Sequence, residues 1–295
     1  MDLQVVIEGY TFLEGPRWHQ GRLWVSDFYT HQVVAISPAD GRTEVMARVP
    51  QQPSGTGFLP DGRALIVSMR DRKLLRREAS GELVVHADLM KLAPWHCNDM
   101  IVDAKGRAYV GNFGWDLMSG AAPASTCLIK VDPDGRASIA AEGLMFPNGT
   151  VLTPDGRTMI VAESFGGRLT AFDVAPDGSL SRQRVWARLG DVPTEFHGEI
   201  PDTVALPDGI CLDAEGAVWY ADGIRKCVVR VAEGGRELER ISTAPFGVYA
   251  CMLGGDDGRT LFMCVAPNFM EEERKATREG RILAARVKVP HAGLP

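Results

Sequence analysis

The amino-acid sequence predicts an all-β fold: a six-bladed β-propeller of four-stranded antiparallel blades, with an N-terminal strand closing the last blade. Three observations predict it. One unit recurs six times along the chain, at a spacing of about 40 to 50 residues that is typical of propellers and solenoids. The apolar runs inside the units are short, β-branched or aromatic, and bounded by Gly, Pro and Asp, with no sustained helical periodicity. The last unit runs out one strand short, while a strand-like segment precedes the first.

Aligned on their first acidic or glycine-bearing stretch, the units begin EGPRWHQGRLWVSDF (14 to 28), SGTGFLPDGRALIVSM (54 to 69), CNDMIVDAKGRAYVGNF (97 to 113), PNGTVLTPDGRTMIVAES (147 to 164), PDGICLDAEGAVWYADG (207 to 223) and VYACMLGGDDGRTLFMCV (248 to 265). Runs such as RLWVSD, RALIVSM, RAYVGN and AVWYAD read as strands, and second-half runs such as QVVAIS, CLIKVDP and VVRVAE alternate like half-exposed ones. Tight ADGR, PDGR and PDGS turns follow. Six such units make one domain over residues 1–295, arranged around a central channel. The segment LQVVIEG at 3 to 9 supplies the strand that GRILAARVKV lacks, which removes an open edge.

Hydrophobic residues at 45% and charged residues at 24% suit a soluble globular chain and exclude a disordered or fibrous one. No stretch approaches the roughly 20 apolar residues of a membrane helix, and MDLQVVIEGYTFLEGPRW lacks the pattern of a signal peptide. The cytoplasm is the expected compartment. Six scattered cysteines without a CxxC pair read as buried thiols. The net charge is −6, and RDRKLLRR at 70 to 77 is the one basic cluster, read as a solvated strand and turn. Neither nucleic acid nor membrane is therefore expected as a partner, and the chain is expected to be a monomer or a weak homo-oligomer.

With strands ordered outward from the channel, the short DGR-type turns share one face and the long connections share the other: VPQQPSGTG (49 to 57), FGWDLMSGAAPAST (113 to 126), LGDVPTEFHGEIPDTVALP (189 to 207) and APNFMEEERKATREG (266 to 280). Binding usually resides on such a loop-rich end. The innermost strands begin there at Glu14, Gly55, Asn98 with Asp99, Asn148, Asp208 and Tyr249, and the second strands end there at Asp27, Asn112, Glu163 and Asp222. Any one of these could merely cap a turn. Convergent carboxylates repel one another unless a positive charge lies between them. A hard cation such as Ca²⁺ or Mg²⁺ suits Glu, Asn and Asp oxygens, with water completing the shell; Mn²⁺ and Zn²⁺ are less expected alternatives. G-x-S-x-G, HExxH, Walker A and dinucleotide motifs are absent, AESFG at 162 to 166 being the nearest miss. Of the histidines, His96 and His197 fall on the loop-rich face, His197 reading as a solvated loop residue.

EGPRW at 14 to 18, CNDMIVDAKGR at 97 to 107, PNGTVLTPDGR at 147 to 157 and PDGICLDAEG at 207 to 216 resemble the gluconolactonase and regucalcin (senescence marker protein) family of six-bladed propellers, and the resemblance covers nearly the whole chain. It implies a metal-dependent lactonase or related hydrolase with Glu14, Asn148 and Asp208 as metal ligands and Asn98 against substrate or the metal's water. Sugar lactonases of the family tend to carry an arginine where this chain has His96, here expected to orient substrate. Aromatic and thioether residues also crowd the loops: Trp95, Phe113, Trp115 and Phe146, and later Phe246, Tyr249, Phe269 and Met270. If some of them line the pocket, with Trp115 and Phe146 the foremost candidates, the substrate is less polar than an aldonolactone.

The expected reaction is the opening of a cyclic ester, with one divalent cation polarising the carbonyl and water attacking. Asp208 is the candidate base, either through a free oxygen or by yielding that role to water acidified by the cation. A propeller enzyme of other chemistry, resembling strictosidine synthase, and a metal-free interaction propeller remain alternatives, because fold does not set function.

Overall fold

A computed structural model describes residues 2–192, 201 and 203–293. It is a ring of six four-stranded antiparallel sheets. Five blades take their strands in sequence order from the axis outward. The sixth is built from Gly247–Gly254, Thr260–Ala266 and Gly280–Arg286, with Gln4–Tyr10 as its outermost strand. The N-terminal strand thus closes the last blade, as the sequence predicts, and each innermost strand packs against the next, the last against the first.

Burial follows distance from the axis. Second strands such as Ala64–Ser68 and Val218–Asp222 are buried along their whole length, because blades cover both of their faces, and they read as continuous apolar runs. Outermost strands such as Arg42–Arg48 and Ala137–Leu144 are largely exposed and carry the charge. The apolar core therefore lies between neighbouring blades, the largest cluster joining blades five, six and one. All six cysteines are free and buried within it. The basic run places Lys73–Arg77 in the third strand of blade two, with Leu74 and Leu75 turned inward.

The short turns have a common chemistry. Asp61 and Asp155 each accept a hydrogen bond from the amide two residues on, both at 3.0 Å, and the glycine between sits at φ 86° or 66°, where a side chain would be strained. At this face Pro290 accepts a hydrogen bond from Ala214, and the amides of His291 and Ala292 donate to Gly258 and Leu212, so a C-terminal strap ties blade five to blade six. On the opposite face lie the long connections, one of which contains a short helix, Glu271–Ala276. Among the described residues no helix is long and apolar enough to cross a membrane.

Candidate active site

Every innermost strand begins with a β-bulge. In blades two to five two residues stand opposite one of the second strand: Ser54 and Gly55, Asn98 and Asp99, Asn148 and Gly149, Asp208 and Gly209. In blade one the bulge follows directly on Glu14, and in blade six it falls at Tyr249. A bulge bends the strand and re-aims a side chain. Around the axis it turns one side chain per blade toward the channel mouth. The Pro-Asn-Gly and Pro-Asp-Gly segments are thus bulged strand, Pro147–Leu152 and Pro207–Leu212, rather than turns.

Their glycines answer a different need. A Cβ on Gly149 would sit 2.4 Å from the Ile210 nitrogen, and one on Gly209 would sit 2.5 Å from the Ala250 Cβ. Glycine lets neighbouring strands meet closely at the axis, which keeps Asn148 and Asp208 in reach of each other.

The mouth holds a cavity of about 130 Å³. Glu14, Asn98, Asn148 and Asp208 line it, from blades one, three, four and five, together with Ser164. Asn148 donates through Nδ2 to Asp208 Oδ1 and, at 3.1 Å, to Ser164 Oγ, while the Ser164 hydroxyl donates to the Pro207 carbonyl at 2.7 Å. Ser164 is therefore a positioning group for Asn148, its proton engaged on backbone. Ser54 Oγ donates to Asn98 Oδ1 at 3.3 Å. Beneath them Arg17, almost wholly buried, crosses from blade one to blade three, donating to Asp99 Oδ1 at 2.9 Å and to the Met100 carbonyl.

Burial pushes the Glu14 carboxyl well above its usual range, and the Asp208 charge pushes it further, against the Gly15 amide that donates to Oε2 at 3.0 Å. Burial raises Asp208 as well, with the Asp99 charge adding to it and the Asn148 hydrogen bond opposing. The Arg17 guanidinium opposes this rise at Glu14 only weakly, being paired with Asp99 at 2.9 Å. A carboxyl raised on folding holds its proton more tightly in the folded chain, so this pair stabilises the fold while protonated. That contribution is lost as the pH climbs through the ordinary carboxylate range toward the raised values. In chelator, the melting temperature of the parent should therefore fall relative to a Glu14→Gln/Asp208→Asn variant as the pH rises from about 5 to 8. Parallel melting curves for the two proteins across that range would remove this account of the pair.

Polar residues at the ends of the second strands do other work. Asp27 accepts from the amides of Thr11 and Phe12, both at 3.1 Å, Asn112 bridges Cys127 and Thr126, and Glu163 holds Arg168 at 2.8 Å and the Met145 amide at 2.8 Å. Asp222 accepts from the Arg225 amide at 3.0 Å. These groups cap loops and do not line the cavity.

Two aromatic clusters flank the polar floor. On one side Phe146 stacks on Phe113 at 4.4 Å and meets Phe165 at 5.2 Å. On the other, Phe12 packs against Tyr249 at 4.7 Å and Phe28 at 5.4 Å, with Tyr29 and Phe269 beside them. Of the aromatic residues singled out in the sequence, Phe113, Phe146, Tyr249 and Phe269 line the cavity. Trp115 stands behind the wall, edge-on to Phe165 at 4.8 Å, and His96 stacks on Trp95 at 5.0 Å and leans on Phe113. The structure thus brings together Glu14, Asn98, Phe146, Asn148 and Asp208, with His96 and Trp115 outside the lining; His197 lies outside the described residues. Sequence reasoning missed Ser164, Phe12, Phe28, Tyr29 and Phe165. Phe28 and Ser164 follow directly on a second-strand carboxylate, Asp27 or Glu163, and Phe165 stands one residue further on, a positional signal that could have found them.

The SMP-30/Gluconolactonase/LRE-like region family matches residues 12–267. The chain is 27% identical over 263 residues to a pentonolactonase of Haloferax volcanii, covering 86% of this chain and 81% of the relative. It is 26% identical over 293 residues to the 6-deoxy-6-sulfogluconolactonase of Pseudomonas putida, covering 96% and 93%. Among solved structures, a calcium-binding protein, regucalcin, from Agrobacterium tumefaciens superposes with a TM-score of 0.80 at 21% identity, covering 99% of this chain and 95% of that one.

Proposed function

The chain belongs to the SMP-30/gluconolactonase/LRE-like family, and from that premise we propose that it is a metal-dependent hydrolase that opens lactones at the channel mouth. One observation carries the reading. Two carboxylates and an amide from three different blades meet on the floor of one cavity, and both carboxyls are raised by burial.

Such a donor set fits a hard divalent cation. Glu14, Asn148 and Asp208 offer oxygen only, the chemistry Ca²⁺ and Mg²⁺ prefer. Among the described residues no three His, Cys, Asp or Glu side chains cluster as a metal site, so the set depends on the Asn148 amide to reach three. Similarity to regucalcin, a calcium-binding protein, supports Ca²⁺ as the first choice, with Mg²⁺, Mn²⁺ and Zn²⁺ the others to test. A divalent cation held there supplies Lewis acidity, drawing electron density from an ester carbonyl and acidifying water.

The chain's own groups do the rest. Asn148 holds Asp208 through Oδ1 and leaves Oδ2 to take a proton from the attacking water, which lets one carboxylate serve as both ligand and base. Ser54 occupies the Asn98 carbonyl oxygen, so the Asn98 amide group is left to donate to the ester. Water adds to the carbonyl carbon, the ring C–O bond breaks, and the proton held by Asp208 passes to the departing alkoxide, giving a hydroxy acid.

A lactone panel run with each metal and with chelator tests the reading, and full activity in chelator would overturn it. Within that panel, Asn148→Ala removes a neutral ligand while the carboxylates stay. The metal concentration for half-maximal rate should rise on the order of 10- to 100-fold, with much of the rate recovered at saturation. A metal dependence identical to the parent's would exclude Asn148 as a ligand.

A further inference from the structure

We infer that this site takes a lactone or cyclic ester bearing an apolar, ring-sized substituent, and not a polyhydroxylated or anionic sugar lactone. The inference rests on the proposed hydrolase reading for its reaction and on the cavity walls for its substrate class.

Above the floor the lining is hydrocarbon. Phe113, Phe146 and Phe165 form one wall, continued by Leu117 and Met118, and Phe12, Phe28 and Phe269 belong to the other. Among the described residues, no Lys, Arg or His lines the cavity. Arg70 and Arg274, whose charges reach Tyr29, are not part of the lining: Arg70 is paired with Glu271 at 2.6 Å, and Arg274 is buried at 2% exposure with a contact to Glu279 at 3.2 Å. Among the described residues, a carboxylate, sulfonate or phosphate on the substituent would find no side-chain cation between these walls.

Neutral sugar hydroxyls fare little better. Glu14, Asn148 and Asp208 belong to the floor, and the Ser164 hydroxyl is held between Asn148 and the Pro207 carbonyl. Among the described residues, what remains for a ring of hydroxyls is Asn98, partly used by Ser54, and the two phenols of Tyr29 and Tyr249. A hydroxyl pressed against phenylalanine loses its water and gains no partner. An aryl or short alkyl group placed there gains apolar burial and ring contacts. The space suits one such group: about 130 Å³ is close to the volume of engineered apolar cavities that bind benzene. The geometry orders the substrate, its ester toward the floor and its substituent between the walls.

The test compares dihydrocoumarin with gluconolactone under matched metal conditions, and adds binding of tetralone, a cyclic ketone that cannot be hydrolysed, read as a rise in melting temperature. Dihydrocoumarin should be opened with a kcat/KM at least about 100-fold higher. Phe113→Ser should raise KM for dihydrocoumarin about 10-fold with little change in kcat, and should erase the tetralone shift. Faster opening of gluconolactone overturns the substrate class and leaves the lactonase reading standing. If neither lactone is opened while tetralone binds and Phe113→Ser abolishes that binding, the lactonase reading fails and the apolar site stands. Absence of any tetralone shift in the parent overturns the inference.

Discussion

Replacing Asp208 with Asn is expected to lower kcat/KM for lactone opening by at least about 100-fold and up to about 10,000-fold, the range for loss of a general base, with the fold intact. The substitution keeps size and shape, and the new amide oxygen can still accept from Asn148 Nδ2. What it removes is one negative charge toward the cation and the oxygen that takes the proton from water. Stability should move the other way. Asp208 is raised by burial and by the Asp99 charge, so a neutral group at that position relieves repulsion in metal-free protein. Lost rate with a melting temperature in chelator equal to or above the parent's is therefore the expected pair of results. A variant that keeps parental kcat/KM places the chemistry elsewhere, and one that loses rate only because it unfolds reveals a structural role for Asp208. Circular dichroism with steady-state kinetics separates these outcomes.

The ring was legible in the sequence because each blade repeats the same burial problem. A second strand covered on both faces is buried throughout, as in Val218–Asp222, and an outermost strand such as Ala137–Leu144 is left largely exposed. These patterns survive divergence between the copies. The bulges were not legible, since a register shift changes which residues face each other without changing the order of apolar and polar residues. Asn148-Gly149 and Asp208-Gly209 are good turn formers, so the local signal pointed to turns, and only the packed neighbours, Ile210 and Ala250, show why glycine is needed. Which aromatic residues face the substrate depends on the same hidden geometry. Trp115 offers the larger surface yet lies behind Phe146 and Phe165, its indole nitrogen buried without a hydrogen-bond partner. Phe28 and Phe165 reach the cavity from one and two residues beyond a carboxylate that pins the end of a second strand, Asp27 and Glu163 respectively. The strap over Pro290–Ala292 was likewise invisible, being made by backbone groups that any residues could supply.

Deleting residues 1 to 9 should cost the most stability of any change considered, because the strand Gln4–Tyr10 covers an edge that the rest of the chain leaves undefended. Ile7 is buried in the largest core cluster, with Leu3 and Val6 packed against it. Their loss is worth on the order of 5 kcal/mol of apolar burial, or roughly 10 °C in melting temperature for a chain of this size. Aggregation follows from the kind of edge left behind. The outermost pairs of blades one to four are interrupted by register shifts, and their edge strands carry charge, as in Arg42–Arg48 and Leu180–Arg188. Both features discourage pairing with another molecule. The strand uncovered by the deletion, Gly280–Arg286, pairs with Thr260–Ala266 without interruption and has Ile282, Leu283, Ala284 and Ala285 at its centre. A regular, apolar edge recruits strands from other chains. Light scattering should therefore show concentration-dependent association of the truncated protein under conditions where the parent stays dispersed. A truncated protein that is equally dispersed and melts with the parent would mean that the strap from Pro290 to Ala292, which joins blades five and six at the opposite face, is enough to hold the ring without the N-terminal strand.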